Sequence, residues 1–437
     1  MSMTTTSQPQ TAARPSLFSA VRVRDFRLLW LGESISLLGD QFYLIALPWL
    51  TLQLTGSGLA LGAVAAAGGI PRALFMLLGG AFTDRFSPRN VMLISNLLRV
   101  LLAALVTLLI FTNTIQLWML FVMALAFGTV DAFFFPAQAA MVPQLVGRDQ
   151  IESGNALTQI TAQFASFVGP ALAGLVIAAI TGSALPTADA LPAAHNVNSV
   201  APAFAIDTLT FIIAAIALWF IKHRAPTLAS SDSAAPNDLF ASIAQGLRIV
   251  WNDSLLRTLV IITAGTNLLF TGPIGVGIPV LTSTRFPEGA AAMGAILSAF
   301  GGGALVGALL GGSLPTPRHI GIVAMSLIAT AAVALTLFGL LTSLPLIIIA
   351  AAAMGLCVGY TNVIIISWLQ KQIAPEMLGR VMSLVMLGSV GLGPLSNLLA
   401  GVLVEVNLSL LFIGAGGILM LLCLVSLSSP RVRTMTA

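Results

Sequence analysis

Long apolar runs separated by short polar joints dominate the chain. Each run stays apolar for about 20 residues without alternating, which predicts helices that cross ~30 Å of hydrocarbon at 1.5 Å per residue. Only helices and closed barrels satisfy their own backbone in lipid, and the residue-by-residue alternation of a barrel strand is missing. Twelve spans are predicted: Phe26–Leu50, Leu59–Phe82, Val91–Phe111, Gln116–Ala137, Gly154–Ile180, Ala203–Ile221, Arg257–Leu281, Ala290–Gly312, His319–Leu341, Leu344–Leu369, Val381–Leu403 and Leu408–Leu427. The most polar joint is Gly79–Asn90, GGAFTDRFSPRN, where Asp84, Arg85 and Arg89 gather in otherwise apolar surroundings. Gly311–Arg318 is a degraded copy of it.

Composition narrows the class. Of 437 residues, 57% are hydrophobic and 8% charged, and the mean hydropathy is +1.00. Soluble domains carry about 25% charged residues, so a soluble multidomain protein is excluded. Of the 19 Lys and Arg, Arg72 and Arg99 fall inside spans, and Arg285 alone falls in a loop on the side away from the termini. The positive-inside rule then puts both termini in the cytoplasm. The expected organisation is a disordered cytoplasmic segment 1–20, a six-helix bundle 21–221, a linker 222–256, a second bundle 257–427 and a tail 428–437. Leu239–Leu256 reads as a surface helix, with Ile243, Leu247, Val250 and Trp251 at helical spacing.

Other chemistry is thin. The net charge of +4 comes from residues at span ends, with no basic patch interleaved with aromatics, so nucleic acid is excluded as a partner. Cys357 and Cys423 sit alone in apolar runs. His195, His223 and His319 lie in loops or at a span end, without ligand spacing. No metal, cofactor or catalytic arrangement is expected, and no Gly-Lys-Ser/Thr phosphate loop is present to bind ATP. An ion gradient is the expected energy source.

Charges inside spans are costly, by at least ~2.5 kcal/mol each, and mark function. Glu33, Asp40, Arg72, Arg99 and Asp131 are the candidates. Glu33, Ser36, Asp40 and Tyr43 fall within an arc of about 80° on the first span at 100° per residue. This stripe is expected to face the cavity between the halves. Asp40 and Arg72 lie roughly 20 Å and 15 Å from the inner ends of their helices, so Arg72 is expected to pair with Asp40, with Glu33 competing. The functional reading is a carboxylate that takes up a proton and loses it when substrate binds. Gly301, Gly302, Gly303 and Gly307 read as helix-packing surface. Phe133, Phe134 and Phe135 suit a cavity wall or a core equally.

The halves echo each other: Gly79–Arg89 by Gly311–Arg318, Gly169-Pro170 by Gly393-Pro394, and Gly147-Arg148 by Gly379-Arg380. Such a duplication places a substrate site at the midplane between repeats. Gly80-x3-Asp84-Arg85-x3-Arg89 resembles motif A of the major facilitator superfamily. Gly169-Pro170-x3-Gly174 resembles the antiporter motif of its drug:proton exporters. FRLLWLGESISLLGDQFYLIALPWL, AFFFPAQAAMVPQLV and APEMLGRVMSL together resemble the branch of macrolide efflux pumps and the enterobactin exporter. Two departures stand out. Ser87-Pro88 replaces a Gly and a basic residue, and the fourth span lacks the basic residue often found early in it.

The resemblance implies an all-α fold of twelve helices in two pseudo-symmetric bundles. It also implies a monomer in the inner membrane that exports a drug-like or siderophore-like molecule against protons. Asp84, Arg85 and Arg89 would latch the halves through Asp131 and the start of the eleventh span near Arg380–Ser383. The rival readings are an importing symporter or lipid transporter of the same fold, and a non-transporting receptor or scaffold.

Overall fold

The computed structural model describes residues 18–181, 197–222, 254–372, 388, 391–428, 430–433 and 435, and at 76–85, 148, 181, 254–256, 259, 430 and 431 the backbone alone. The expected linker helix, most of segment 1–20 and the start of the eleventh span lie outside the described residues. Order begins before residue 21, because Phe18–Arg22 turns so that Ala20 is fully buried and its N–H meets Ser153 Oγ at 3.4 Å.

Helices account for the architecture. They are α1 (Arg24–Thr55), α2 (Gly58–Arg85), α3 (Pro88–Phe111), α4 (Leu117–Leu145), α5 (Ile151–Thr181) and α6 (Ala201–Phe220). The seventh, α7, has three parts: Ser254–Gly272, a π-helical turn at Pro273–Gly277, and Ile278–Arg285. Pro273 offers no N–H to the helix ladder, and a wider turn absorbs the defect. Then follow α8 (Ala290–Ser313), α9 (Ile320–Leu340), α10 (Leu344–Gln372), α11 (Gly393–Val406) and α12 (Leu408–Ser428). All but α11 have the length and hydropathy to cross a membrane within their described residues.

The packing repeats with a shift of six helices. In the first half α2 packs on α4, α1 on α5 and α6, and α3 on α4 and α6. In the second half α8 packs on α10, α7 on α11 and α12, and α9 on α10 and α12. The halves meet chiefly through α5 against α8 and α2 against α11, two contacts that interchange under the same shift. Outer faces stay apolar: Leu101 and Leu108 on α3, Trp219 and Phe220 on α6, and Leu421 and Val425 on α12 are all exposed. A continuous exposed apolar surface of this kind suits a lipid surround.

Candidate functional site

Acidic and basic residues deep in the helices occur only in the first half among the described residues: Glu33 and Asp40 on α1, Arg72 on α2, Arg99 on α3, Asp131 on α4 and Asp207 on α6. In α7–α12 such residues keep to about one turn from a helix end.

Asp131 is the hub. One carboxylate oxygen accepts from Arg72 Nη2 and the other from Arg99 Nη2. The same face of α4 carries Phe134 and Phe135 three and four residues on. The Arg99 guanidinium lies 3.9 Å from the Phe134 ring centroid and 5.4 Å from that of Phe211, while Arg72 lies 5.7 Å from Phe135. Phe134 therefore serves neither as plain core nor as cavity wall; it backs a buried cation.

This corrects two expectations. Arg72 pairs with Asp131, not with Asp40 or Glu33. Asp131 is held by two arginines of its own half, and Arg89 does not reach it. Arg89 Nε instead donates to the Leu218 carbonyl at 2.9 Å and Nη2 to that of Trp219 at 2.8 Å. A cation there satisfies the open carbonyls at the α6 C-terminus. The expected polar hinge at Gly79–Asn90 is also shorter: α2 runs through Arg85, and only Phe86–Ser87 separates it from α3. Gly80, Asp84 and Arg85 thus lie in the last turns of α2, and their side chains fall outside the description.

The α1 stripe faces the interior of the first half instead of the space between halves. Glu33 is buried, and its Oε2 accepts from Gln138 Nε2 of α4 at 2.8 Å. Its Oε1 has no hydrogen-bond partner among the described residues. It lines a narrow cleft with Trp30, Ser34, Gln138, Thr158 and Thr161, where Trp30 Nε1 donates to Thr161 Oγ1 at 2.9 Å. Ser36 is buried, and its hydroxyl likewise finds no partner there. Asp40 is half-buried, within the electrostatic reach of Arg99, Asp131 and Arg72. Tyr43 stacks on Phe127 of α4 at 4.7 Å and meets Phe204 of α6 edge-on at 6.1 Å. Mutual attraction in a low dielectric accounts for the inward turn, because ionisable groups of opposite sign cost less together than apart.

Asp207 escaped the sequence reading. It is fully buried, and neither carboxylate oxygen has a hydrogen-bond partner among the described residues. The signal was present: a lone Asp inside the apolar run Ala203–Ile221, about one turn from its start. Asn96 on α3 is buried in the same way.

The seam between halves is built from small residues. Pro170 cannot bond the Ser166 carbonyl, and a Cβ at Gly301 of α8 would overlap that freed oxygen. The next residue, Ala171, gives its N–H to Ser298 Oγ of α8 at 2.8 Å. Gly174 and Gly294 back onto each other, and a Cβ at Gly294 would overlap the Pro170 carbonyl. Gly169 and Pro170 lie within α5, which continues unbroken through them. On the other seam, Gly62 of α2 faces Gly401 of α11. At the end away from the chain termini, Glu405 of α11 accepts from Ser57 Oγ at 2.7 Å and from the Leu59 N–H at 3.1 Å. One carboxylate thereby clasps the opposite half across the first turn of α2.

Comparison with known proteins agrees with this architecture. The sequence profile of the Major Facilitator Superfamily matches residues 29–395. The chain is 30% identical over 405 residues to the multidrug efflux pump Tap of Mycolicibacterium fortuitum, covering 90% of this chain and 93% of that one. It is 24% identical over 362 residues to macrolide efflux protein A of Streptococcus pyogenes, covering 82% and 84%. Among solved structures, the nucleoside transporter NupG superposes with a TM-score of 0.70 at 14% identity, covering 92% of this chain and 98% of that one. At that identity the superposition speaks for the fold alone.

Proposed function

For a chain that belongs to the Major Facilitator Superfamily, and so is a multi-pass membrane transporter and not an enzyme, we propose export of a small amphipathic organic molecule in exchange for protons. The named relatives are drug and macrolide pumps, which favours a drug-like substrate. The observation that carries the coupling half of the reading is the division of charge in the first half. Asp131 occupies both arginines, and among the described residues that leaves Asp40 and Glu33 without an ion pair of their own. A buried carboxylate that shares its nearest cations with another carboxylate can exchange a proton when its surroundings change. Glu33 already lines a cleft, with one oxygen unbonded.

The two halves rock about the α5–α8 and α2–α11 seams as a monomer in the cytoplasmic membrane, with both termini inside. The distribution of arginines between the two sides supports that orientation. The Glu405 clasp and the glycine contacts hold the outer end shut in the conformation seen. Asp84 and Arg85, at the inner end of α2, are suited to latch the inner side when the outer side opens, with α11's N-terminus as the counterpart.

The test is transport of a radiolabelled macrolide into inverted vesicles under an imposed pH gradient, with wild type and Asp40→Asn. Wild type should accumulate the drug when protons leave the vesicle interior, and Asp40→Asn should lose at least about tenfold of the gradient-driven rate, the factor that 1.4 kcal/mol represents. Full gradient-driven transport by Asp40→Asn removes Asp40 from the mechanism. Uptake into right-side-out vesicles instead would make the protein an importer.

A further inference from the structure

The charges of the first half do not balance. Arg72 and Arg99 bring two positive charges, while Glu33, Asp40, Asp131 and Asp207 bring four carboxyls. Both arginines are bound to Asp131. In a low-dielectric interior an unbalanced ionised carboxylate is expensive. The cluster is neutral when one further carboxyl is ionised and two protons are spread over the remaining sites. Three carboxyls sharing two protons form an exchangeable set, and the exporter mechanism above uses only two of the three.

Asp207 is placed to be the third member. Helix α6 packs on α1, and contact is closest at Gly39, the residue before Asp40. A Cβ at Gly39 would lie 2.9 Å from Asp207 Oδ1 and would overlap the Thr210 hydroxyl. Gly39 thus lets the Asp207 carboxyl lie directly against the α1 backbone beside Asp40. Thr210 does not occupy that carboxyl, because its hydroxyl donates to the Asp207 main-chain carbonyl at 2.8 Å. The charged and titratable groups that Asp207 feels are Asp40 and Tyr43 from α1, Arg99 from α3 and Asp131 from α4; α5 brings none. A structural Asp at a buried helix contact would normally have its oxygens hydrogen-bonded. Those of Asp207 are free among the described residues.

We propose that Asp207 is a second proton-exchanging residue, which receives its proton from Asp40 where α6 closes against Gly39. The O–H bond on Asp40 breaks, an O–H bond forms on Asp207, and one negative charge moves from Asp207 to Asp40. No other reactant is needed. The transfer leaves Asp40 charged and facing Arg99 and Arg72, while the proton waits on a residue with no exposed surface. This reading rests on proton exchange at Asp40. Because Asp207 does not line the Glu33 cleft, its effect should fall on coupling and leave drug binding alone.

The experiment is infrared difference spectroscopy of the purified full chain in detergent, titrated between about pH 9 and pH 6, a window above the titration of ordinary surface carboxyls. Wild type should show carboxyl C=O bands that change across the window. Asp207→Asn should remove one of them, and Asp40→Asn should remove another and move the midpoint of the Asp207 band. Asp207→Glu, grown with carboxyl-13C aspartate, keeps the carboxyl in case Asp207→Asn does not fold; its band from position 207 should fail to shift with the label. Asp207 is overturned if Asp207→Asn matches wild type, if the Asp207→Glu sample shows no unshifted band beyond the one that Glu33 gives in equally labelled wild type, or if Asp40→Asn leaves the midpoint unmoved. The titration needs no substrate. A wild type that transports nothing on a proton gradient would therefore end the exporter reading, with Asp207 still scored on its own bands. In vesicles, Asp207→Asn should lose gradient-driven macrolide transport about tenfold while drug exchange without a gradient stays within about twofold.

Discussion

The two arginines on Asp131 should differ sharply in what they contribute, and a mutant cycle can measure the difference. The Arg99 side chain is 3% exposed, Asp131 13% and Arg72 42%. Breaking a buried ion pair by deleting one partner costs about 3–5 kcal/mol, because the other charge is left buried. Arg99→Met leaves Asp131 with Arg72, which softens that loss, but it also removes a guanidinium packed on Phe134, worth up to about 2 kcal/mol when desolvated. The expected net cost is about 3 kcal/mol. Arg72→Met removes a half-open partner while the better-buried one remains, and its cost should stay near 1 kcal/mol. Asp131→Leu strands both arginines and should be the worst single change. The double variant Arg99→Met/Asp131→Leu should be less damaged than the sum of its parts, with a coupling of about 2 kcal/mol. Unfolding in SDS titrations, followed by tryptophan fluorescence, supplies the free energies. Equal costs for Arg99→Met and Arg72→Met, or additivity within about 0.5 kcal/mol, would refute a buried pair at the hub.

Two further outcomes follow from the seams. Gly294→Val pushes a branched side chain against the Pro170 carbonyl and should pry α5 from α8; a cysteine placed at Ser57 should then react several-fold faster with a membrane-impermeant maleimide, and an unchanged rate would mean that this seam does not hold the outer end shut. Asp84→Asn should slow the transport cycle while drug affinity, read by equilibrium binding, stays within about threefold; a tenfold loss of affinity, about 1.4 kcal/mol, would take Asp84 out of the latch.

Much of this was legible in the chain. Twelve spans follow from uninterrupted apolar runs, and Glu33, Asp40, Arg72, Arg99 and Asp131 declare themselves because charges are rare at membrane depth. Partnership was harder to read. Distance along a helix gives depth, so Asp40 and Arg72 looked matched, but depth says nothing about which neighbour a side chain faces. Asp131 and Asp40 lie at comparable depth on neighbouring helices, and only the packing of α2, α3 and α4 decides that both arginines go to Asp131. The helical wheel likewise picked out the Glu33–Tyr43 face without saying that it turns into its own bundle. Asp207 is harder to read for a simpler reason: a lone Asp in an apolar run belongs to no motif and to no polar stripe. The π turn at Pro273–Gly277 and the role of Arg89 on the α6 carbonyls depend on tertiary geometry that no local pattern encodes.

The one-sided charge distribution has an electrical consequence. A membrane voltage acts only on charge, at about 2.3 kcal/mol per elementary charge per 100 mV across the full thickness. Helices α7–α12 have no acidic or basic residue deep in the bilayer among the described residues, so voltage does not distinguish one tilt of that half from another. Among the described residues the electrical work falls on α1–α6, on charge left uncompensated when protons or a cationic substrate enter or leave the cluster. The second half is then a passive fulcrum, and the first is the lever on which the membrane potential pulls.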